Sequence, residues 1–377
     1  MSPPKPKVLL ISTVHPPNDP RIVFKVAASL QNHYDVTCAL PNATPETLAG
    51  VQFIKLPFYP KLTDRLWRVH PLVIWKLLET KPDVVQVFVA ELLPIAFIFS
   101  WFGAKIIYEV QENLPKKFHT KKINNEKLFQ YFFRCFDGLA RRFFYLVFTE
   151  YAYLKDYNNL KKPHRVVANF ASLPLLNPMW QPYRAGNNSQ PAEFLYVGVV
   201  STDRCIQTMI DALALVRVSH PDVIMHLFGT VNFGMENLEK LENYELVHKN
   251  MVFYGYTDLR VAYQKARTAV AGIAMLKAVG DYPDSYTTKM FDYMALGLPV
   301  LTSNFELYRS VIETADCGFC LPPDDPNALA ESMNWLIANP LGAQKMGENG
   351  RAAVEKNYNW ASEEQKLLAL YREVTSS

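Results

Sequence analysis

Asp284 and Asp292 stand eight positions apart with Lys289 between them, in the stretch Asp284-Ser-Tyr-Thr-Thr-Lys-Met-Phe-Asp292-Tyr-Met-Ala-Leu-Gly-Leu-Pro-Val300. A helix starting within this stretch presents unpaired N–H groups and a partial positive charge to an anion. Lys289 adds a full charge at that end, and a carboxylate a turn or two away accepts hydrogen bonds from hydroxyl groups. A second stretch, Phe194-Leu-Tyr-Val-Gly198-Val-Val-Ser-Thr-Asp-Arg204-Cys-Ile206, ends a strand on a glycine and follows it with a cation. Glycine lets backbone approach a phosphate, and the guanidinium neutralises it. A purely structural reading of the two carboxylates, one capping a helix and one solvated, stays open at this point.

The elements that must hold these residues alternate. Short apolar runs in the first half, at residues 8–14, 35–40, 52–56, 83–89, 105–109, 145–149 and 165–168, are separated by longer helical patterns. A second series follows at 194–197, 223–228, 252–254, 268–274, 300–303 and 318–321, with helical patterns at 205–219, 289–296 and 326–338. Continuous apolar strands alternating with helices imply parallel sheets covered on both faces. The spacing predicts two doubly wound, Rossmann-like domains, residues 1–175 and 192–356, joined by a proline-containing linker at 176–191. Ligands bind at the carboxyl ends of such strands, so the active site is expected between the domains. Residues 357–377 read as a terminal helix with apolar positions Leu367, Leu368, Leu370 and Tyr371, expected to pack back on the first domain.

The 284–300 stretch resembles the donor-site signature of the retaining family-four glycosyltransferases of the GT-B fold, bacterial polysaccharide-synthesis type. The resemblance extends over Lys7 to Val374, taking in Thr13-Val-His-Pro-Pro-Asn-Asp19-Pro-Arg21, Lys81-Pro-Asp-Val-Val-Gln86, Ile107-Tyr-Glu109-Val-Gln111-Glu112-Asn113 and Asn357-Tyr-Asn-Trp360. It implies an α/β protein of GT-B architecture, two Rossmann-like domains facing a central cleft. Its activity would be transfer of a sugar from a nucleotide-diphosphate sugar to a glycan or lipid-linked acceptor. On this resemblance Asp284, Lys289 and Arg204 are catalytic, and Gly198, Arg204, Tyr286, Thr287, Thr288, Lys289 and Asp292 bind the donor nucleotide and diphosphate. His15, Asp19, Arg21, Gln111 and Glu112 fall on the acceptor side. No metal or cofactor is implied, and no Asp-x-Asp occurs. Departures are specific: Glu109, Gln111 and Gln86 stand where Asp, His and His are frequent, both acids of the signature are Asp in place of Glu, Val199 replaces a basic residue and Cys205 a glycine. Glutamine cannot act as a base, so proton removal from an acceptor would fall to the departing diphosphate, with Arg and Lys stabilising its charge. Two rival readings follow from the departures and the architecture: a non-catalytic glycosyltransferase-like subunit, and a nucleotide-sugar epimerase.

Composition narrows the rest. The chain has 377 residues and a formal charge of +3, with 49% hydrophobic and 20% charged residues, inside the globular range. Residues 1–180 carry 23 Lys and Arg against 13 Asp and Glu, or +10, leaving 16 against 23, or −7, for 181–377. A basic first half suits an anionic surface, and the acidic second half argues against a chain-long nucleic-acid groove. Residues 115–148 hold eight Lys or Arg and ten Phe or Tyr. Lys116, Lys117, Lys121 and Lys122 with Phe118 suit anionic lipid headgroups, while Phe129, Phe133, Phe136, Ala140 and Phe143 recur at the spacing of an ordinary core stripe. Five scattered cysteines, including Cys317 and Cys320, point to structural thiols in a reducing compartment. The expectation is a cytoplasmic protein, peripheral on the inner membrane face.

Overall fold

The computed structural model describes residues 4–44, 48–113, 126–182 and 191–376. Lys116, Lys117, Phe118, Lys121 and Lys122, and residues 183–190 of the expected linker, lie outside the described residues. The chain divides into two compact units, residues 1–169 with 360–377, and residues 170–359.

The first unit is built on seven strands: β1 Lys7–Ile11, β2 Asp35–Pro41, β3 Gln52–Leu56, β4 Val84–Val87, β5 Lys105–Val110, β6 Tyr145–Phe148 and β7 His164–Val166. They lie in the order β3-β2-β1-β4-β5-β6-β7, every pair parallel. Strand order reverses between β1 and β4, the kind of position beside which open α/β sheets bind ligands. The apolar run at 8–14 stops being a strand at Ile11 because the buried Ser12 side chain turns the chain: its Oγ accepts from Val14 N and His15 N, each at 3.2 Å. One face of this sheet is covered by the helical stretch Ile22–Leu30 and by the terminal helix Trp360–Ser376. The other is covered by helical stretches at 62–80, Leu93–Trp101 and Glu126–Phe143. In the last of these Phe133 and Ala140 are buried and Phe136 half-buried, but Phe143 is 52% exposed. The expected core stripe therefore runs off the core at its end.

The second unit has six strands, β8 Glu193–Val197, β9 Ile224–Phe228, β10 Met251–Gly255, β11 Ala269–Ala274, β12 Val300–Ser303 and β13 Gly318–Leu321. Their order is β10-β9-β8-β11-β12-β13, again all parallel. Here the order reverses between β8 and β11. Helices Ile206–Ser219 and Pro326–Ala338 cover one face, and Thr288–Ala295 lies in the core of the other. All five cysteines are free thiols. Burial pushes Cys317 and Cys320 up to about 12, so this pair is inert at neutral pH.

Candidate functional site

In the second unit the loops after β8 and β11, the two strands flanking the reversal, bring together the expected anion-binding residues. Helix Thr288–Ala295 begins at Thr287, which is extended (φ −82°, ψ 119°), and no side chain caps it. Lys289 in its first turn is buried, and its Nζ has no hydrogen-bond partner among the described residues. The ammonium sits 3.9 Å from the Tyr196 ring centroid. Burial first, then repulsion from Arg204, push its pKa well below the ordinary lysine value. A cation so desolvated lacks only an anion.

Gly198 explains how one gets in. Its φ is +141°, and a Cβ there would lie 3.0 Å from Arg204 Nη1 and 3.3 Å from Lys289 Nζ. The bare backbone thus leaves one guanidinium and one ammonium group facing a single gap. Gly229, after β9, backs this loop so closely that a Cβ would stand 1.9 Å from Gly198 O. Arg204 lies beside the hydroxyls of Tyr196 and Tyr282, and Tyr196 donates to Val199 O at 2.7 Å. Cys205, where the resemblance expects glycine, holds the same left-handed turn with φ +60° and is fully buried. The backbone geometry expected of glycine is therefore kept, at a strain of about 1 kcal/mol.

The carboxylates are placed differently from one another. Asp292 lies one turn into the helix and accepts from Tyr263 OH at 2.8 Å, so a buried phenol fixes its orientation. Asp284 ends a single 3-10 turn, Tyr282–Asp284, before the helix. Tyr286 is an aromatic support: its ring meets Phe291 at 5.1 Å and Phe170 at 6.1 Å. Tyr293, on the same helix, accepts from Val197 N at 2.8 Å and packs on Gly272, where a Cβ would be 2.3 Å from its ring. Tyr196, Tyr263 and Tyr293 were not singled out in the sequence; tyrosines inside apolar runs carry no local mark of such work.

The acceptor-side residues of the first unit are more divided. Ser12 Oγ, which accepts two backbone N–H groups, bonds His15 Nδ1 at 2.7 Å. Asp19 Oδ1 accepts Arg21 N at 3.0 Å and Ile22 N at 2.9 Å, so this carboxylate caps the following helical turn. Arg21 departs from expectation: it is buried and each of its nitrogens is engaged, with Glu109 Oε1 at 3.0 Å, Ala168 O at 3.1 Å and Val167 O at 2.8 Å. A guanidinium so used is structural. Glu109 also accepts from Gln86 at 2.6 Å and Gln111 at 2.9 Å, and Tyr371 OH donates to Gln86 Oε1 at 2.6 Å. Gln111 is half-buried and Glu112 exposed beside this network. Glu91, given no role in the sequence reading, joins the loops after β1 and β4: Thr13 donates to it, and Arg65 grips both its oxygens at 2.8 Å.

Residues 182–353 match the sequence model of glycosyl transferases group 1. The match takes in just under half of the chain. The group 1 stretch contains Gly198, Arg204, Asp284, Lys289 and Asp292. Spore coat protein SA of Bacillus subtilis is 25% identical over 186 residues, 47% of this chain and 48% of that protein. Phosphatidyl-myo-inositol mannosyltransferase of Mycobacterium leprae is 27% identical over 94 residues, 25% of each. The chain thus spans about half the length, or less, of these curated relatives. Among solved structures, sucrose-phosphate synthase of Thermosynechococcus elongatus superposes with a TM-score of 0.75 at 16% identity, covering 99% of this chain and 100% of that one. HepE of Anabaena, solved with UDP-glucose, gives 0.70 at 16% identity, covering 97% and 99%. These likenesses establish the fold of both units as GT-B.

Proposed function

We propose that this chain is a glycosyltransferase that moves a hexose from a nucleotide-diphosphate sugar to a glycan or lipid-linked acceptor in polysaccharide or glycoconjugate synthesis, with retention at the anomeric carbon. One observation carries the reading: Lys289 Nζ, buried and without a hydrogen-bond partner among the described residues, meets Arg204 across the bare backbone of Gly198 at an uncapped helix start. A diphosphate supplies the missing anion, and HepE, of the same fold, is recorded with UDP-glucose. In this reading Asp292 and the 286–288 loop take the nucleoside, Asp284 faces the donor sugar, and the acceptor meets His15, Gln111 and Glu112. The departing diphosphate removes the acceptor proton while Lys289 and Arg204 hold its growing charge. Two fixed cations meet that need without a metal, so chelation is expected to leave the rate unchanged.

A thermal-shift series with UDP, GDP, ADP and their hexose conjugates tests the donor site. A ligand at ~100 times its Kd stabilises the native state by ~2.7 kcal/mol. One nucleotide is expected to raise the transition and to support transfer whose product keeps the donor's anomeric configuration by NMR. Silence from every nucleotide with folded protein would overturn the proposal. A second reading, a non-catalytic subunit, is favoured by the engagement of Arg21 and Gln111 inside the first unit; nucleotide binding without turnover toward any glycan acceptor would select it.

A further inference from the structure

We infer that a cavity on one flank of the helix Glu126–Phe143 is an effector site of the first unit, taking a small soluble ligand of the sugar-phosphate class and steadying the loop after β5. The cavity measures about 610 Å³ and is lined by Arg134, Asp137, Arg141, Arg142 and Lys161. That is the size of a small-molecule site. Arg134, Arg142 and Lys161 are exposed and have no carboxylate partner among the described residues. Asp137, the carboxylate of the lining, is buried and occupied: Arg141 reaches it at 2.6 Å, and Tyr157 OH donates to it at 3.0 Å. Three cations are thus gathered round one space with no anion to meet them, and a phosphate supplies that anion.

Gly138 supplies the room. It lies inside an 18-residue helix, where glycine lowers helix stability. A Cβ there would meet no atom within 4 Å, so packing does not demand a glycine, and its bare backbone widens the cavity it lines. A bare phosphate would leave most of this space empty, and the amides of Asn158 and Asn159, also on the lining, suit the hydroxyls of a sugar. The exposed Phe132 and Phe143 of the same helix do not line the cavity, so the ligand is a solute and not a lipid. Arg141 carries the effect of binding onward. Its guanidinium lies 3.9 Å from the Tyr157 ring centroid and donates to Asp156 O at 2.8 Å. The Asp156 carboxylate accepts from Asn113, which follows Gln111 and Glu112 in the loop after β5, and Tyr153 OH donates to Gln111 O at 3.4 Å. Hydrogen bonds therefore run without a break from the cavity wall to that loop. Only the consequence for an acceptor rests on the proposed function.

The test is calorimetric titration of the full chain with glucose 6-phosphate, inorganic phosphate and glucose. Glucose 6-phosphate is expected to bind about tenfold more tightly than inorganic phosphate and to weaken with salt, and glucose to give no heat. The donor site also offers cations, so the titration is repeated in variants that separate the two. Lys289→Met is expected to bind glucose 6-phosphate like the parent. Gly138→Leu, which fills the cavity, and Arg134→Gln with Lys161→Gln are each expected to weaken binding by about tenfold or more, at unchanged circular dichroism. With ligand, amide exchange is expected to slow at residues 110–113 in the parent and not in Gly138→Leu. No heat from glucose 6-phosphate at millimolar concentration would overturn the inference. So would binding that Lys289→Met abolishes and the cavity variants keep, binding of the polyanion heparin alone, or binding that leaves exchange at 110–113 unchanged. The nucleotide thermal shift reads the second unit separately, so failure of either proposal leaves the other standing.

Discussion

Lys289 is the residue on which the donor site turns, because an unpartnered buried ammonium destabilises the free protein and is relieved by a ligand. Its folded pKa lies below its unfolded value of about 10.5 through burial and Arg204. The unfolded chain therefore binds the proton more strongly, and stability rises with pH between the lowered value and about 10.5, where the penalty vanishes. Lys289→Met keeps the volume and removes the charge. It is expected to stabilise the free protein by on the order of 1 kcal/mol at neutral pH, to flatten that pH dependence, and to abolish the nucleotide-induced rise. Urea midpoints from pH 7 to 10 with and without nucleotide check all of it; a destabilised variant that still binds nucleotide would show that Lys289 is an ordinary core residue.

At the scale of elements, the parts visible in the sequence were those set by local physics. β3, β12 and β13 fall on the residues their apolar runs mark, and helix Pro326–Ala338 starts where Asp325 and Pro326 announce it. That Gly198, Arg204 and Lys289 converge could be anticipated, because glycine and cation types just after a strand or at a helix start carry their chemistry with them. The polar network of the first unit was not legible: Gln86 and Tyr371 are 285 positions apart, and Arg21 and Glu109 are 88 apart. Arg21 fell on the acceptor side by resemblance, and nothing nearby in the chain says that Glu109 and two carbonyls will enclose it. The network joins β4 and β5 to the terminal helix, so it can be cut from either side. Tyr371→Phe leaves Gln86 Oε1 buried without its donor and is expected to cost about 1–3 kcal/mol. A midpoint within error of the parent, measured by urea unfolding, would mean that the Tyr371 hydroxyl bond contributes nothing.

For the whole molecule, the chain's return to its first unit is the decisive arrangement. Residues 170–359 form the second unit, after which Trp360–Ser376 belongs to the first. That helix buries Trp360, Leu367, Leu370, Tyr371 and Val374 against the sheet face also covered by Ile22–Leu30. Trp360 Nε1 donates to Ser29 Oγ at 2.8 Å, Glu363 accepts from Ala168 N at 2.8 Å, and the Tyr371 ring lies 5.4 Å from Tyr34. Each fully buried large apolar side chain is worth ~1.5–3 kcal/mol, so five of them rival the whole stability of an ordinary domain. A chain ending at Asn359 is therefore expected to lose its first unit while keeping its second, although the cut adjoins the second in sequence. Hydrogen exchange is expected to show protection lost in β1, β2 and β4 and retained in β8, β9 and β11, with the nucleotide thermal shift preserved. Loss of protection in both units together would mean that the second unit does not fold on its own, and protection retained in both would mean that the terminal helix is dispensable to the core it covers.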